Sequence, residues 1–191
     1  MKDLKSALLL FLFLTFLLGG IYSAVVTIAA NLLFPHQAEG SLVADGSGRV
    51  VGSSLIGQPF SEEKYFWPRP SATPDFAYNP LLSGGSNLGP THPQQLRQAK
   101  ERIARLRDTG VAEEIPADLV LASASGLDPH ISPEAAWLQA PRIAGARGLT
   151  VEKVHLLIAT MTEGPQAGTL GAPRINVLAL NMALDKGKVL P

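Results

Sequence analysis

The chain has 191 residues, with Lys+Arg and Asp+Glu both at 16 and no cysteine, so its formal net charge is zero. Balanced charge gives no support to a general nucleic-acid role, and the lack of cysteine excludes a disulfide framework, a thiolate nucleophile and a Cys-based zinc site. With residues 1–36 set apart, about 155 remain, enough for one ordinary hydrophobic core.

From Ala7 to Leu33 no residue is charged, and Leu, Phe, Ile, Val and Ala dominate. These 27 residues would make roughly 40 Å of helix, more than the ~30 Å that a hydrocarbon core requires. Lys2 and Lys5 precede the run and no basic cluster follows before Arg49. The positive-inside rule therefore puts the N-terminus in the cytoplasm and the rest of the chain outside. The run is nearly twice as long as the apolar region of a signal peptide, and Ile28-Ala29-Ala30 is a poor cleavage site because Ile is not small. An uncleaved anchor over residues 1–36 is expected. Its polar groups are few (Thr15, Tyr22, Ser23, Thr27, Asn31), and Gly19, Gly20, Ser23 and Ala24 either admit a second helix or mark a flexible point.

Residues 37–191 form the expected extracytoplasmic domain, entered through a polar linker at His36–Gly40. Leu42 to Ile56 reads as two short strands around the turn Asp45-Gly46-Ser47-Gly48. Gln58 to Pro93 has no helical period and is rich in Pro, Gly, Ser and Asn, so a long loop is expected. Its rings (Phe60, Tyr65, Phe66, Trp67, Phe76, Tyr78) have surface to bury, which argues that the loop is ordered. Pro93 suits the first position of a helix to about Asp108, with Leu96, Ala99, Ile103 and Leu106 on its packing face. Asp118 to Ser123 reads as a strand through Leu119-Val120-Leu121. Ser132-Pro133-Glu134 starts a helix that Gly148 ends, and Thr150 caps another to about Thr162. Ile175 to Leu180 reads as a strand, followed by a helical turn to Asp185. The predicted fold is one transmembrane helix followed by a small, loop-rich α+β domain, without internal repeats.

The candidate sites each admit a plain structural reading. In Ser83-Gly84-Gly85-Ser86-Asn87-Leu88-Gly89 the glycines and Asn87 permit positive φ, so backbone N–H groups can converge as an anion nest; a structural turn or partner surface is the alternative. The Lys-Ser/Thr pair of a P-loop is missing. Ser125, Asp128 and His130 lie close together, but hydrolytic triads draw their members from distant positions, and Asp128-Pro129 reads as a loop feeding the next helix. His36, His92, His130 and His155 show no metal-ligand spacing. Arg142 and Arg147, five apart, should face different directions, with salt bridges the plain reading and a phosphate or partner carboxylate the alternative; Gln139 reads as a polar surface residue, and Trp67 as a core or interface ring.

Several segments taken in order carry a family resemblance. They are Gly52-Ser53-Ser54-Leu55-Ile56-Gly57-Gln58-Pro59-Phe60, then Tyr65-Phe66-Trp67-Pro68-Arg69-Pro70-Ser71-Ala72, and then Tyr78-Asn79 through Ser83 to Pro90. Asp118-Leu119-Val120 through Ser125 to Ser132, Gln139 to Ala144, Ala146 to Leu149, and Asn176-Val177-Leu178-Ala179-Leu180-Asn181 complete the set. With the anchor, the chain resembles the KdpC family, the C subunit of the Kdp potassium-transporting P-type ATPase, over nearly its whole length. The one departure is His92, where an Asn before the Pro is expected; this should weaken a helix cap.

The resemblance implies a non-catalytic subunit of the inner (plasma) membrane. Its partners would be a channel-like potassium-binding subunit, the P-type ATPase catalytic subunit and a small membrane peptide. No tightly bound cofactor is implied, and ATP would be reached through the catalytic subunit. A chaperone role that raises ATP affinity is tied to the glutamine matching Gln139, with Arg142 beside it. The topology read from the charges puts Gln139 on the side opposite to ATP, so such an effect would have to be allosteric. The competing classes are a membrane-anchored enzyme using Ser125 and His130, and a solute-binding module.

Overall fold

The computed structural model describes residues 2–187; the last residues of the expected domain, 188–191, lie outside them. The chain divides into two compact units, Met1–Leu42 and Val43–Pro191.

The N-terminal unit is a continuous helical rod. Helix α1 (Lys2–Leu14) passes through a π-helical stretch, Thr15–Tyr22, into α2 (Ser23–Leu33). The wider π turn contains Gly19 and Gly20, where no side chain crowds the backbone. Asp3–Leu33 is long and apolar enough to cross a membrane, and no part of its most apolar window is buried within the chain. Two polar side chains inside it are satisfied locally: Ser23 Oγ donates to the Leu18 carbonyl at 3.1 Å, and Asn31 Nδ2 to that of Thr27 at 2.8 Å. Such back-bonding suits a helix in lipid, where water cannot satisfy polar groups. The expected linker is partly helical: Pro35 opens the short α3 (Pro35–Ala38), its fixed φ and missing N–H suiting the first position.

The C-terminal unit begins with the predicted hairpin, β1 (Leu42–Ala44) and β2 (Val50–Ser53). Asp45 Oδ1 closes its turn by accepting from Ser47 N–H at 2.9 Å and Arg49 N–H at 3.1 Å. Residues 54–92 contain no helix or strand. Helix α4 (Pro93–Asp108) has the predicted bounds. His92 proves an adequate cap, because its Nδ1 accepts from Gln94 N–H at 3.2 Å. The packing face is not the one expected. Leu106 is buried, but Leu96 and Ile103 are exposed, since the helix instead turns Arg102 inward to donate to the Val120 carbonyl at 2.7 Å.

Two predicted strands are corrected. Ala117–Leu119 is a 3₁₀ turn, and Leu119 and Val120 are both buried, which a strand with alternating faces would not allow. Ile175–Leu180 reduces to β4 (Ile175–Asn176), because the Asn176 side chain accepts from Ala179 N–H at 3.0 Å and starts α7 (Val177–Asp185). β4 pairs antiparallel with β3 (His130–Ile131), Ile131 opposite Ile175.

The core lies among α5 (Pro133–Arg147), α6 (Val151–Met161) and α7. Ser132 caps α5, Gly148 ends it at φ +63°, and Thr150 caps α6, all as predicted. Ala135, Ala136, Ala140 and Ala144 give α5 a smooth buried face, against which Val154, Leu157 and Ile158 of α6 pack in one cluster with Leu180 and Leu184 of α7. Phe66, from the long loop, is fully buried in that cluster. The fold is α+β, as predicted.

Candidate functional site

The Tyr65–Pro70 segment lies between α5 and α7 without any strand beside it. In an extended chain, one residue's N–H and C=O point to one side and its neighbour's to the other. Two buried amides exploit this. Asn181 of α7 takes both backbone groups of Phe66, accepting its N–H at 2.8 Å and donating to its carbonyl at 3.1 Å. Gln139 of α5 does the same for Trp67, accepting the N–H at 2.7 Å and donating to the carbonyl at 3.2 Å. Each amide thus imitates a neighbouring strand.

Gln139 is 1 % exposed, not the surface residue that the sequence pointed to. Its Nε2 also donates to the Ala135 carbonyl at 3.1 Å, and its Oε1 accepts from Arg142 Nη2 at 2.7 Å. Both donors and both lone pairs of the amide are occupied. Arg142 further donates to the carbonyls of Glu63 and Tyr65. Burial, opposed by Glu63, pulls its pKa down to about 10, so it is charged at neutral pH. Arg147 donates to the Lys64 carbonyl at 2.7 Å and pairs with Asp185 at 2.7 Å; Tyr65 Oη donates to the other Asp185 oxygen. The two arginines, expected to face apart and form salt bridges, hold the same loop; Arg147 forms the expected ion pair, and Arg142 reaches the loop through carbonyls instead and through the Trp67 ring. The guanidiniums of Arg105 and Arg142 lie 4.3 and 4.1 Å from the Trp67 ring centroid.

Residues 83–89 are placed elsewhere, on the turn at 123–126. Gly84 N–H and Ser83 Oγ both donate to the Ser125 carbonyl, at 2.9 and 3.0 Å. Gly85 fits so closely against Ala124 that an added Cβ would meet its carbonyl at 3.1 Å. Ser86 Oγ accepts from Leu88 N–H at 3.4 Å, Asn87 has φ +52°, and the Gly89 carbonyl accepts from His92 N–H. The Gly84 donor that an anion nest would use is thus taken by Ser125. Ser125 Oγ accepts from Leu127 N–H and lies 3.4 Å from Ser123 Oγ, while His130 Nδ1 faces Asp128 at 3.5 Å. His130 thus meets Asp128, as a triad would require, whereas the Ser125 hydroxyl is engaged within its own turn by Leu127 and Ser123.

Asp128 joins the segment to this turn, since Arg69 Nη1 pairs with its Oδ2 at 3.1 Å. Burial raises the carboxyl's pKa, but hydrogen bonds from His130 and Arg69 outweigh it and hold the group below 3.8. A carboxylate lowered in the folded state stabilises it above the unfolded pKa, and that contribution is lost as pH falls through the folded value. Asp128→Asn in the detergent-solubilised chain should therefore lower the melting temperature at neutral pH. It should also flatten the decline below about pH 4. An unchanged acid limb in thermal scans would show that Asp128 contributes nothing there.

Gln139 and Arg142 were candidates in the sequence; Asn181 was not singled out. The helical period is the signal that finds both amides. Gln139 falls in step with buried Ala135 and Ile143, and Asn181 with buried Val177 and Leu184.

Residues 4–186 match the family model of the K+-transporting ATPase c chain, KdpC. The chain is 63 % identical over 185 residues to the potassium-transporting ATPase KdpC subunit of Geobacter sulfurreducens, covering 97 % of this chain and 98 % of that one. The subunit of the same name from Geotalea uraniireducens is 59 % identical over 186 residues, with 97 % and 98 % covered. That of Variovorax paradoxus is 56 % identical over 184 residues, with 95 % of each covered.

Proposed function

We infer the role of this chain from one premise: it belongs to the KdpC family, the c chain of K+-transporting ATPases. It is thus a subunit of the Kdp potassium-transporting ATPase, and the free-standing enzyme and solute-binding readings fall away. Within that complex we propose that it is a non-catalytic assembly subunit of the inner membrane, with its N-terminus in the cytoplasm and its C-terminal unit outside. Its helix would join the channel-like potassium-binding subunit, the P-type catalytic subunit and the small membrane peptide. The observation that carries the reading is the Asp3–Leu33 helix, which is long and apolar enough to cross a membrane and has none of its most apolar window buried. A helix that exposes large apolar side chains from Leu4 to Leu33 would aggregate in water, so lipid and partner helices are its natural cover.

The test is purification of the tagged full-length chain from membranes in mild detergent. Co-purification of an ATPase stimulated by potassium is expected. Deleting residues 2–33 while keeping the C-terminal unit should abolish recovery of the complex, and an intact complex from that deletion would sink the assembly role of the helix.

A finer role, raising the ATP affinity of the catalytic subunit through Gln139, is compatible with this reading only as an indirect effect. Every hydrogen-bonding position of that amide is occupied inside the domain. A nucleotide would have to displace Trp67 or Arg142 to reach it. We therefore assign Gln139 to shaping the segment that partners meet, and a coupling to ATP to the partner's preference between two states.

A further inference from the structure

Between α4 and the loop that includes Ser61, Trp67 and Arg69 lies a cavity of about 250 Å³. Three guanidiniums line it, those of Arg69, Arg102 and Arg105, and no carboxylate does. Arg69 is neutralised by Asp128. Arg102 and Arg105 form no ion pair among the described residues. Arg102 is half-buried and gives Nη1 to the Val120 carbonyl; Arg105 is exposed, reaches the Ser61 carbonyl only at 3.5 Å and lies over Trp67. Arg142, also without an ion pair among the described residues, shares that ring; burial lowers its pKa, Glu63 opposes this, and the charge of Arg105 lowers it further. The guanidiniums of Arg105 and Arg142 thus share the Trp67 ring, and Arg102 lines the same cavity as Arg105, in a chain of zero net charge.

A cavity of about 380 Å³ beside the β1–β2 turn is different. Its rim carries Asp45 with Arg49 at 3.3 Å, and Asp185, which pairs with Arg147 at 2.7 Å, so its acids are matched within the chain. The α4 cavity is left with charge to be met from outside, since neither Arg102 nor Arg105 has an ion pair among the described residues. A guanidinium held half out of water has lost hydration that its carbonyl contact replaces at a single donor, and its planar fork fits a carboxylate through two parallel hydrogen bonds.

We propose that this cavity receives an Asp or Glu side chain of a partner subunit of the complex, with Arg105 and Arg102 taking the carboxylate. The charge complementarity favours this occupant, because a subunit with no net charge gains no general attraction and must concentrate its electrostatics at a specific contact. The inference rests on the reading of the chain as an assembly subunit. A carboxylate docked on exposed Arg105 and half-buried Arg102 is a contact that salt competes with, so it makes retention in the complex dependent on ionic strength.

The experiment is size-exclusion chromatography of the detergent-purified complex over a series of NaCl concentrations, measuring the fraction of this subunit that co-elutes with the ATPase. Arg105→Gln is compared with Arg97→Gln, an exposed α4 change of equal charge outside the cavity, and with Arg102→Gln. The expected result is about tenfold weaker retention for Arg105→Gln and Arg102→Gln, lost at salt that wild type and Arg97→Gln withstand. Charge reversal at Arg105 should be suppressed by an Asp or Glu to Lys change in a partner subunit. If wild type co-elutes and Arg105→Gln shows the same salt dependence with an unchanged melting temperature, the cavity proposal fails and the assembly reading stands. Equal losses in Arg97→Gln, or a defect confined to binding vesicles of anionic phospholipid, would overturn it as well. A wild-type chain that elutes alone would instead refute the assembly reading itself.

Discussion

Replacing Gln139 with alanine is expected to lower the stability of the C-terminal unit by about 3 kcal/mol. The cost arises mainly from what is left behind. The Trp67 N–H and carbonyl, both bonded to the Gln139 amide, would face an apolar helix surface with no replacement partner. Each unsatisfied buried group costs roughly 1–3 kcal/mol, and the space vacated by a fully buried side chain adds a cavity term. Arg142 also loses its acceptor and keeps only the carbonyls of Glu63 and Tyr65. Asn181→Ala should do nearly the same damage from the other side, by freeing Phe66. Gln139→Glu is informative because it preserves the acceptor for Trp67 N–H and Arg142 while presenting a carboxylate to the Trp67 and Ala135 carbonyls, which then lose their donor.

Urea unfolding of the three variants tests this directly and also bears on ATP. If Gln139→Ala and Asn181→Ala lose stability together and shift the KM for ATP of the assembled pump together, the glutamine acts by holding the Phe66–Trp67 segment. If Gln139→Ala alone raises that KM, with stability unchanged, the side chain works at nucleotide and the structural assignment is wrong.

The buried amides also show where sequence reading stops. Helix bounds were legible because they depend on local chemistry: the Pro93 start, the Ser132 and Thr150 caps and the Gly148 stop stand where the sequence puts them. The membrane-length helix was legible for the same reason, as composition alone marks it. Of the two corrected strands, the one shortened to Ile175–Asn176 ended on a local cap, Asn176, whereas the one at Asp118 was decided non-locally. Asp118 accepts from Ser132 N–H at 2.6 Å, tying the 3₁₀ turn to the start of α5, and no window around Leu119 contains that contact. The helical period puts Gln139 and Asn181 on buried stripes, but it does not show what a polar residue there would bond. That partner is backbone, 72 residues away for Gln139 and 115 for Asn181, and backbone has no sequence signature. The arginines around Trp67 were likewise unreadable as a group, since α4, α5 and the loop meet only in the folded chain.

The second large effect is expected at Gly126. Gly126→Ala should cost about 2–4 kcal/mol and release the loop of residues 71–85 from the turn at 123–128. Two independent reasons converge on this position. Its φ is +66°, where an alanine is strained by roughly 1 kcal/mol. An added Cβ would also lie 2.6 Å from the Gly84 carbonyl oxygen and 2.6 Å from Thr73 Cγ2, and the carbonyl cannot swing aside without moving the loop it belongs to. That movement would break the Gly84–Ser125 bond at 2.9 Å and the contact of Ser71 Oγ with the Gly126 carbonyl at 2.7 Å. Ser71 Oγ in turn accepts from Tyr78 N–H, and Thr73 Oγ1 from Asn79 N–H, so the network that fixes the loop would fail with it. Gly145→Ala is the matched control: it lies on the exposed side of α5 with open space around it, and should be neutral or stabilising by up to about 1 kcal/mol. The loop presents Phe76, Leu81 and Leu82 to solvent, with Leu81 87 % exposed, and a fixed conformation is what would let such side chains meet a partner without an ordering cost. Limited proteolysis of Gly126→Ala should therefore cut between residues 73 and 90 under conditions in which wild type and Gly145→Ala survive, and recovery of the assembled pump should fall in parallel. A Gly126→Ala chain that melts with wild type and resists the protease would mean that the turn tolerates the extra carbon by a backbone shift, and that the loop is held by something other than this contact.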